Sequence, residues 1–134
     1  MSSLFSVVVV IVALIVILVV NFESIRQRQL RCMALDVFSA FNACRVYYWA
    51  DFGTLLGIVR ERDIILDDND IDICVERNSE TIEKLEQCVR PRLEELGYTL
   101  AWHSRSIYRI YRFWRGFVAV YYTHLRAHET DSYL

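Results

Sequence analysis

A long apolar run opens the chain. Every residue from 4 to 20 is apolar except Ser6. As a helix this run would rise roughly 26 Å, near the lower limit for crossing a hydrocarbon core of about 30 Å. The alternative is a cleaved signal peptide, but no basic segment precedes the run and no A-x-A-like site follows it. We therefore predict a transmembrane anchor over residues 1–22.

Beyond this anchor, apolar residues recur at steps of three and four positions. The set that follows this period is Leu30, Met33, Ala34, Val37, Phe38 and Phe41. Such spacing is typical of one helix face, so it predicts an amphipathic helix over residues 23–45 that continues from the anchor. A β-branched and aromatic stretch at 46–49 then predicts a short strand.

The pattern changes to strict alternation after position 69. Apolar residues at 71, 73 and 75 alternate with Asp70, Asp72 and Cys74, which predicts a strand. Further strands are predicted at 98–102, 107–113 and 117–120.

A helix lies between the acidic strand and the later strands. Asn78 or Ser79 caps it, Pro91 kinks or splits it, and Gly97 ends it. This order of helices and strands predicts a small α/β or α+β domain with a mixed sheet over residues 46–120.

Charge and cysteine content exclude some classes of function. The formal net charge is −2, which gives no electrostatic reason to expect a nucleic-acid partner. The four cysteines, at positions 32, 44, 74 and 88, form no C-x-x-C pair and have no histidine at zinc-finger spacing. We expect buried free thiols, which leaves the redox compartment open.

The side of the membrane is also open at this stage. Arg26, Arg28 and Arg31 follow the anchor, so the positive-inside bias favours a cytoplasmic domain. Glu23 lies among these arginines and weakens the bias, which keeps a secretory-pathway lumen as the alternative.

The last segment, residues 121–134, differs in character from the rest. It has no clear apolar period and is similar to a translated sequencing-adaptor tail. We expect that it is not native and that the natural domain continues past about Val120 with other residues.

The candidate chemistry lies in the sequence DDNDID, residues 67–72. Four carboxylates this close repel one another unless a cation or water compensates them. On a strand, Asp70 and Asp72 point to one face, and Asp68 joins them if the strand begins earlier. Carboxylates at this spacing suit Mg²⁺, which leaves positions for water and phosphate oxygens. The alternative is an acidic surface turn.

A second motif precedes the acidic run. Gly53 and Thr54 follow the first strand, where a glycine lets the backbone approach a phosphate and the hydroxyl can donate to it. Gly57 adds a second flexible point, and the guanidinium of Arg60 suits a phosphate bidentately. Each residue alone is a weak signal, but together with Asp-x-Asp they form the pattern of nucleotidyltransferases.

Residues 47–75, YYWADFGTLLGIVRERDIILDDNDIDICV, resemble the core of the LicD/fukutin family. That family combines an aromatic strand, GTLLG, an arginine and a D-x-D-h-D-like segment. The resemblance implies a partial nucleotidyltransferase fold similar to that of DNA polymerase β. It implies Asp70 and Asp72 as catalytic Mg²⁺ ligands, with Asp68 in support. Donor phosphates would bind at Gly53, Thr54, Gly57 and Arg60.

By the same resemblance, the reaction is transfer of phosphocholine, ribitol phosphate or a related group from a CDP-linked donor to a glycan. Two departures stand against it. Leu66 and Asp67 replace the usual Pro-Trp, and Ala119 occupies the later strand where a further carboxylate is expected. The alternatives are a nucleotidyltransferase that uses a nucleoside triphosphate and a membrane-anchored remnant without activity.

Overall fold

The structure of the protein is a computed structural model. Its first element is one long helix. The structure describes residues 2–66, 68–112 and 116–123. Helix α1 runs without interruption over Ser2–Ala43. Residues 4–20 are exposed along their whole length, and the helix is long and apolar enough to cross a membrane. Length and composition allow a membrane span or a signal sequence.

The second half of α1 packs on the sheet and supplies much of the core. The positions predicted from the apolar period are buried or half-buried, and Val37 and Phe41 are fully enclosed. The transition from an exposed apolar surface to a buried stripe occurs within one continuous helix. The same element therefore connects the apolar segment to the folded domain.

Three helices and five strands follow α1 in chain order. Strand β1 is Tyr48–Ala50, helix α2 is Phe52–Arg60 and strand β2 is Asp70–Glu76. Helix α3 is Ser79–Lys84, a π-helical turn covers Leu85–Val89, and helix α4 is Arg90–Glu95. Strands β3, β4 and β5 are Thr99–Ser104, Ile107–Tyr111 and Phe117–Thr123.

The five strands form one mixed sheet in the order β1-β2-β5-β4-β3. Strand β2 pairs antiparallel with β1 and parallel with β5, so the acidic strand lies inside the sheet. Strand β5 also pairs antiparallel with β4, which pairs antiparallel with β3. The predicted mixed-sheet α/β architecture is confirmed.

Strand β5 extends to Thr123 and thus into the segment that we expected to be non-native. Residues 124–134 lie outside the described part of the chain, so that expectation stays a prediction.

The helical layer after β2 changes its winding where the sequence contains proline. Asn78 caps α3, and its side chain accepts a hydrogen bond from the Thr81 backbone N–H at 2.7 Å. The π-helical turn ends next to Pro91, which lies in the first turn of α4. Proline has no N–H to donate to the preceding turn, and the wider π-helical winding accommodates that loss. The predicted interruption at Pro91 is confirmed.

The cysteine prediction, buried free thiols, is wrong for three of the four residues. Cys44, just after α1, forms a disulfide with Cys88 of the π-helical turn, and their Cα atoms are 5.8 Å apart. Cys74 is a buried free thiol as expected, whereas Cys32 is free but exposed. The disulfide joins the end of α1 to the helical layer across 44 positions of sequence.

Two glycines with positive φ offer a matched test of the fold. Gly97 (φ 80°) has only the flexible side chain of Arg112 near its missing Cβ, at 3.6 Å. A Cβ on Gly116 (φ 89°) would lie 2.6 Å from the carbonyl oxygen of Asn69. Alanine at either site meets left-handed strain of about 1 kcal/mol, and Gly116→Ala must in addition displace the backbone before β2.

We expect Gly116→Ala to lower the unfolding midpoint of the detergent-solubilised full chain by several degrees more than Gly97→Ala. Thermal unfolding followed by intrinsic fluorescence measures both. Equal midpoints for the two variants would contradict the close approach of Gly116 to Asn69.

Candidate functional site

The acidic residues of β2 lie on the face of the sheet opposite the core. Ile71 and Ile73 are buried on one face, and the alternation of strand side chains places Asp70 and Asp72 on the other. Both aspartates are half-buried. The predicted common face of these two carboxylates is confirmed, and the buried isoleucines hold it in register.

Asp68 precedes the strand but contacts its first carboxylate. The pKa of Asp70 is raised to about 6, mainly by burial and also by a side-chain hydrogen bond with Asp68 and by the charges of Asp72 and Asp68. The charge of Arg109 acts in the opposite direction. Burial and the neighbouring carboxylates therefore disfavour the charged form of Asp70.

Asp72 lies deeper in the same cluster. Burial raises its pKa, a hydrogen bond from the Tyr121 hydroxyl lowers it, and the charges of Asp68 and Asp51 raise it. Its Oδ1 atom is buried and has no hydrogen-bond partner within the described part of the chain. A buried carboxylate oxygen without a donor is costly, so this position suits a ligand with positive charge.

The Gly-Thr motif lies directly against the acidic strand. The Oγ1 atom of Thr54 accepts a hydrogen bond from the Asp72 backbone N–H at 2.7 Å. A Cβ on Gly53 would lie 3.0 Å from Oδ2 of Asp68, so the glycine lets the two segments meet. The two motifs that sequence spacing connects are therefore in contact.

Gly53 and Thr54 belong to the first turn of α2. Asp51 caps this helix by accepting from the Phe52 N–H at 2.9 Å, and the first helical bond runs from Leu55 to the Asp51 carbonyl. The N–H groups of Gly53 and Thr54 precede that bond. They lie at the positive end of the helix dipole, where anions bind.

The other two residues predicted to bind phosphate lie apart from the acidic cluster. Gly57 is buried, and a Cβ there would lie 2.6 Å from the Asp63 carbonyl, so this glycine allows close packing of the following loop. Arg60 lies at the far end of α2, about 10 Å along the axis from Gly53. Its side chain is 61% exposed and lies 3.7 Å from Glu61.

The described residues contain no group of three His, Cys, Asp or Glu side chains that could hold a metal ion. Two features nevertheless fit a cation. Asp72 has an unpartnered buried oxygen, and burial and the neighbouring carboxylates raise the pKa of Asp70. Mg²⁺ in proteins is commonly held by one or two carboxylates, with water and phosphate oxygens at its other positions. The arrangement fits that kind of site better than a closed cage of protein ligands.

The neighbouring strand carries alanine beside the acidic pair. Ala119 of β5 is paired with Asp72 of β2 and, on its other side, with Arg109 of β4. The position where a further carboxylate was expected is therefore next to Asp72, but a methyl group occupies it. The guanidinium of Arg109 lies 4.6 Å from the ring centroid of Phe117 on the same face.

Sequence reasoning missed three residues of this site. Asp51 follows a strand and precedes a helix, so its capping role could have been found from that pattern. Tyr121 lies in the segment given no functional weight, although its hydroxyl donates to Asp72. Arg109 is 37 positions from Asp72, counted from the two residue numbers, and only the strand order places them on one face.

Comparison with known proteins agrees with this geometry. A sequence model of the LicD/FKTN/FKRP nucleotidyltransferase domain matches residues 45–131. The chain is also similar to the uncharacterized protein RP689 of Rickettsia prowazekii (strain Madrid E), with 42% identity over 67 residues. That alignment covers 50% of this chain and 24% of the relative, so the chain spans only part of that protein's length. The family match covers more than half of the chain, and the chain belongs to the LicD/FKTN/FKRP nucleotidyltransferase-domain family.

Proposed function

We propose that this protein transfers a phospho-alcohol group, such as phosphocholine or ribitol phosphate, from a CDP-activated donor to a glycan with the help of Mg²⁺. Membership of the LicD/FKTN/FKRP family supports the general class, a nucleotidyltransferase-like phosphotransferase. The observation that carries the proposal is the contact between the acidic strand and the first turn of α2. Thr54 accepts from the Asp72 N–H at 2.7 Å, which joins a carboxylate pair to a phosphate-binding helix end.

The carboxylates are the proposed cation site. Asp70 and Asp72 would hold Mg²⁺, and Asp68 would support them as a third carboxylate next to Asp70. The ion would neutralise charge on the transferring phosphoryl group. The protein keeps both aspartates in place with the buried isoleucines of β2, so little side-chain ordering is left for the moment of binding.

The donor phosphates are proposed to lie at the first turn of α2. The backbone N–H groups of Gly53 and Thr54 are placed to donate to phosphate oxygens there, and the absent Cβ of Gly53 leaves room beside Asp68. Gly57 and Arg60 remain predictions as phosphate ligands, because the geometry gives one a packing role and places the other at the opposite end of the helix.

We further propose that α1 anchors the protein in a membrane with the domain on its oxidising side. The exposed apolar residues 4–20 and the uninterrupted helix support the anchor. The Cys44–Cys88 disulfide supports the side, because such bonds persist in secretory compartments and are rare in the cytosol. This argument opposes the bias of the three arginines, two of which are paired, Arg26 with Glu23 and Arg31 with Asp63.

One observation favours a second candidate, a membrane-anchored remnant that binds but does not catalyse. Ala119 lies beside Asp72 where the family resemblance places a further carboxylate. A nucleotidyltransferase that uses a nucleoside triphosphate is the other enzyme alternative. Incubating the full chain with CDP-choline, CDP-ribitol or CTP, with a glycan acceptor, distinguishes these functions. Release of CMP supports the proposal, release of pyrophosphate supports nucleotidyl transfer, and binding of CDP without release supports the remnant.

The double substitution Asp70→Asn with Asp72→Asn tests the cation site. We expect the Mg²⁺ affinity to fall about tenfold or more, because both charged ligands are removed while side-chain size is kept. Titration calorimetry of Mg²⁺ and CDP into the detergent-solubilised full chain measures the loss. Glu95→Gln on α4 is the matched control and should bind like the unchanged protein. Equal Mg²⁺ affinity in all three proteins would reject the assignment.

Asp70 also predicts a pH dependence of stability. Its folded-state pKa of about 6 is above the ordinary value of 3.8, so the folded protein binds the proton more tightly than the unfolded chain. In EDTA, its contribution is therefore most favourable at low pH and is lost as pH rises through about 6. Solvent screening of this half-buried group limits the effect to about 1 kcal/mol.

The measurement is the thermal midpoint at pH 5 and pH 7 in EDTA, where the Asp70→Asn variant reports the contribution of all other groups. We expect the unchanged protein to gain more stability on acidification than Asp70→Asn does. An identical gain in both proteins would be the contrary result.

The disulfide gives a test of the membrane side. In protein extracted under denaturing, non-reducing conditions, we expect alkylation of Cys32 and Cys74 but not of Cys44 or Cys88, measured by mass spectrometry of peptides. Loss of the bond in Cys44→Ser should cost about 2–4 kcal/mol of unfolding free energy, because a long loop is released. Cys32→Ser is the control. Alkylation of Cys44 and Cys88 in protein from its own membrane would place the domain in a reducing compartment.

A further inference from the structure

A cavity of about 700 Å³ lies between α1 and the open face of the sheet, next to the acidic cluster. Phe22 and Arg26 of α1 form one wall, and Arg109 and Phe117 of the sheet form another. Asn69, the residue before Asp70, also lines it. The proposed function does not use this space, because the donor phosphates were placed at α2.

The position of the cavity along α1 is unusual for a soluble substrate site. Phe22 and Arg26 follow Val20, the end of the apolar run, by about 3 and 9 Å along the helix axis. With α1 in a bilayer, the cavity mouth lies at the level of the lipid headgroups. Arginine, with an apolar stem and a charged head, is a residue type that membrane interfaces favour.

A second contact places the acidic loop at the same level. Leu66 shares a groove with Val19 and Val20 at the end of the apolar run, and its side chain is 67% exposed. An exposed leucine beside exposed valines is costly in water and favourable in a bilayer. The segment before the acidic strand therefore reaches the membrane end of α1.

The polar groups of the cavity suit a phosphate. Arg109 lines the cavity and stacks on Phe117, at 4.6 Å from the ring centroid, and Phe117 is paired with Asp70 in the sheet. Arg26 also lines the cavity, and its Nε and Nη2 donate to Glu23 at 3.0 and 2.6 Å, so a phosphate would share this guanidinium with the Glu23 carboxylate. Two guanidinium groups that approach one space bind phosphate oxygens better than lysines would.

We propose that this cavity binds the phosphate group of a lipid-anchored ligand, with the apolar chain of the ligand in the bilayer beside α1. The phosphate lies between Arg26 and Arg109, and the rest of the headgroup extends past Asn69 toward Asp70. This inference rests on the proposed membrane anchor, and it adds a substrate class: the acceptor is presented on a lipid.

The test uses the full chain in phosphatidylcholine nanodiscs that contain phosphatidic acid as the probe. Native mass spectrometry after release from the nanodisc measures retained phosphatidic acid. We expect about tenfold lower retention for Arg109→Gln and for Arg26→Gln, because each loses a charge-assisted hydrogen bond. Arg92→Gln, an exposed arginine of α4 away from the cavity, should retain the lipid like the unchanged protein. Unchanged disulfide mass and thermal midpoint confirm that each variant is folded.

A second arm distinguishes a lipid phosphate from a free one. Glycerol 3-phosphate is added as a soluble competitor at the same concentration as phosphatidic acid. Continued retention of the lipid supports the proposal, and displacement by the soluble phosphate overturns it. Equal retention in the unchanged protein and in all three arginine variants overturns it as well, because the cavity then contributes nothing.

This result is independent of the test of the proposed function. Loss of Mg²⁺ binding in the Asp70 and Asp72 variant with normal lipid retention leaves both inferences in place. Lipid retention that depends on Arg26 and Arg109, without release of CMP from any donor, supports the cavity and rejects the transferase. CMP release without lipid retention that depends on the arginines supports the transferase and rejects the proposed lipid-phosphate cavity.

Discussion

The pairing of β2 with β5 determines where the candidate site lies. Residues 70–76 of β2 pair in parallel with residues 117–123 of β5, while β1 covers the other edge of β2. An internal strand has both edges hydrogen-bonded, so its register cannot slip without moving its buried isoleucines into solvent. The backbone positions of the carboxylates on the opposite face are therefore fixed as well. The packing of the isoleucines beneath them prevents the backbone from moving, so the carboxylates stay close together despite their mutual repulsion.

Much of this fold could be predicted from residue patterns because each element depends on local rules. Alternation at 70–75 predicts β2, the period of α1 predicts its buried stripe, and Asn78 and Pro91 predict where the helical layer starts and changes winding. The Cys44–Cys88 bond could not be predicted in this way. Its two ends are brought together by the packing of α1 against the helical layer, and no spacing in the sequence encodes that packing.

The site divides along the same line. Asp70, Asp72, Gly53 and Thr54 were predicted because each motif is short and contiguous, and the structure brings the two motifs into contact. Arg109 and Tyr121 were not, because they join the cluster through strand order alone. Gly57 and Arg60 lie in the same motif as Gly53, yet the helical geometry of α2 turns them elsewhere. A contiguous motif therefore identified the types of residue that a phosphate site needs, but it did not predict which of them face the acidic cluster.

The unbroken course of α1 has a mechanical consequence. A helix without a hinge transmits orientation, so the sheet that packs on its second half is held at one tilt and one height relative to its first half. Many membrane-tethered domains are joined to their anchors by flexible linkers and sample a hemisphere of positions. With α1 in a bilayer as proposed, this domain is held at a constant distance from the membrane surface. Under the proposed function, this constant distance would favour substrates whose reactive group is carried at the same distance from the membrane surface.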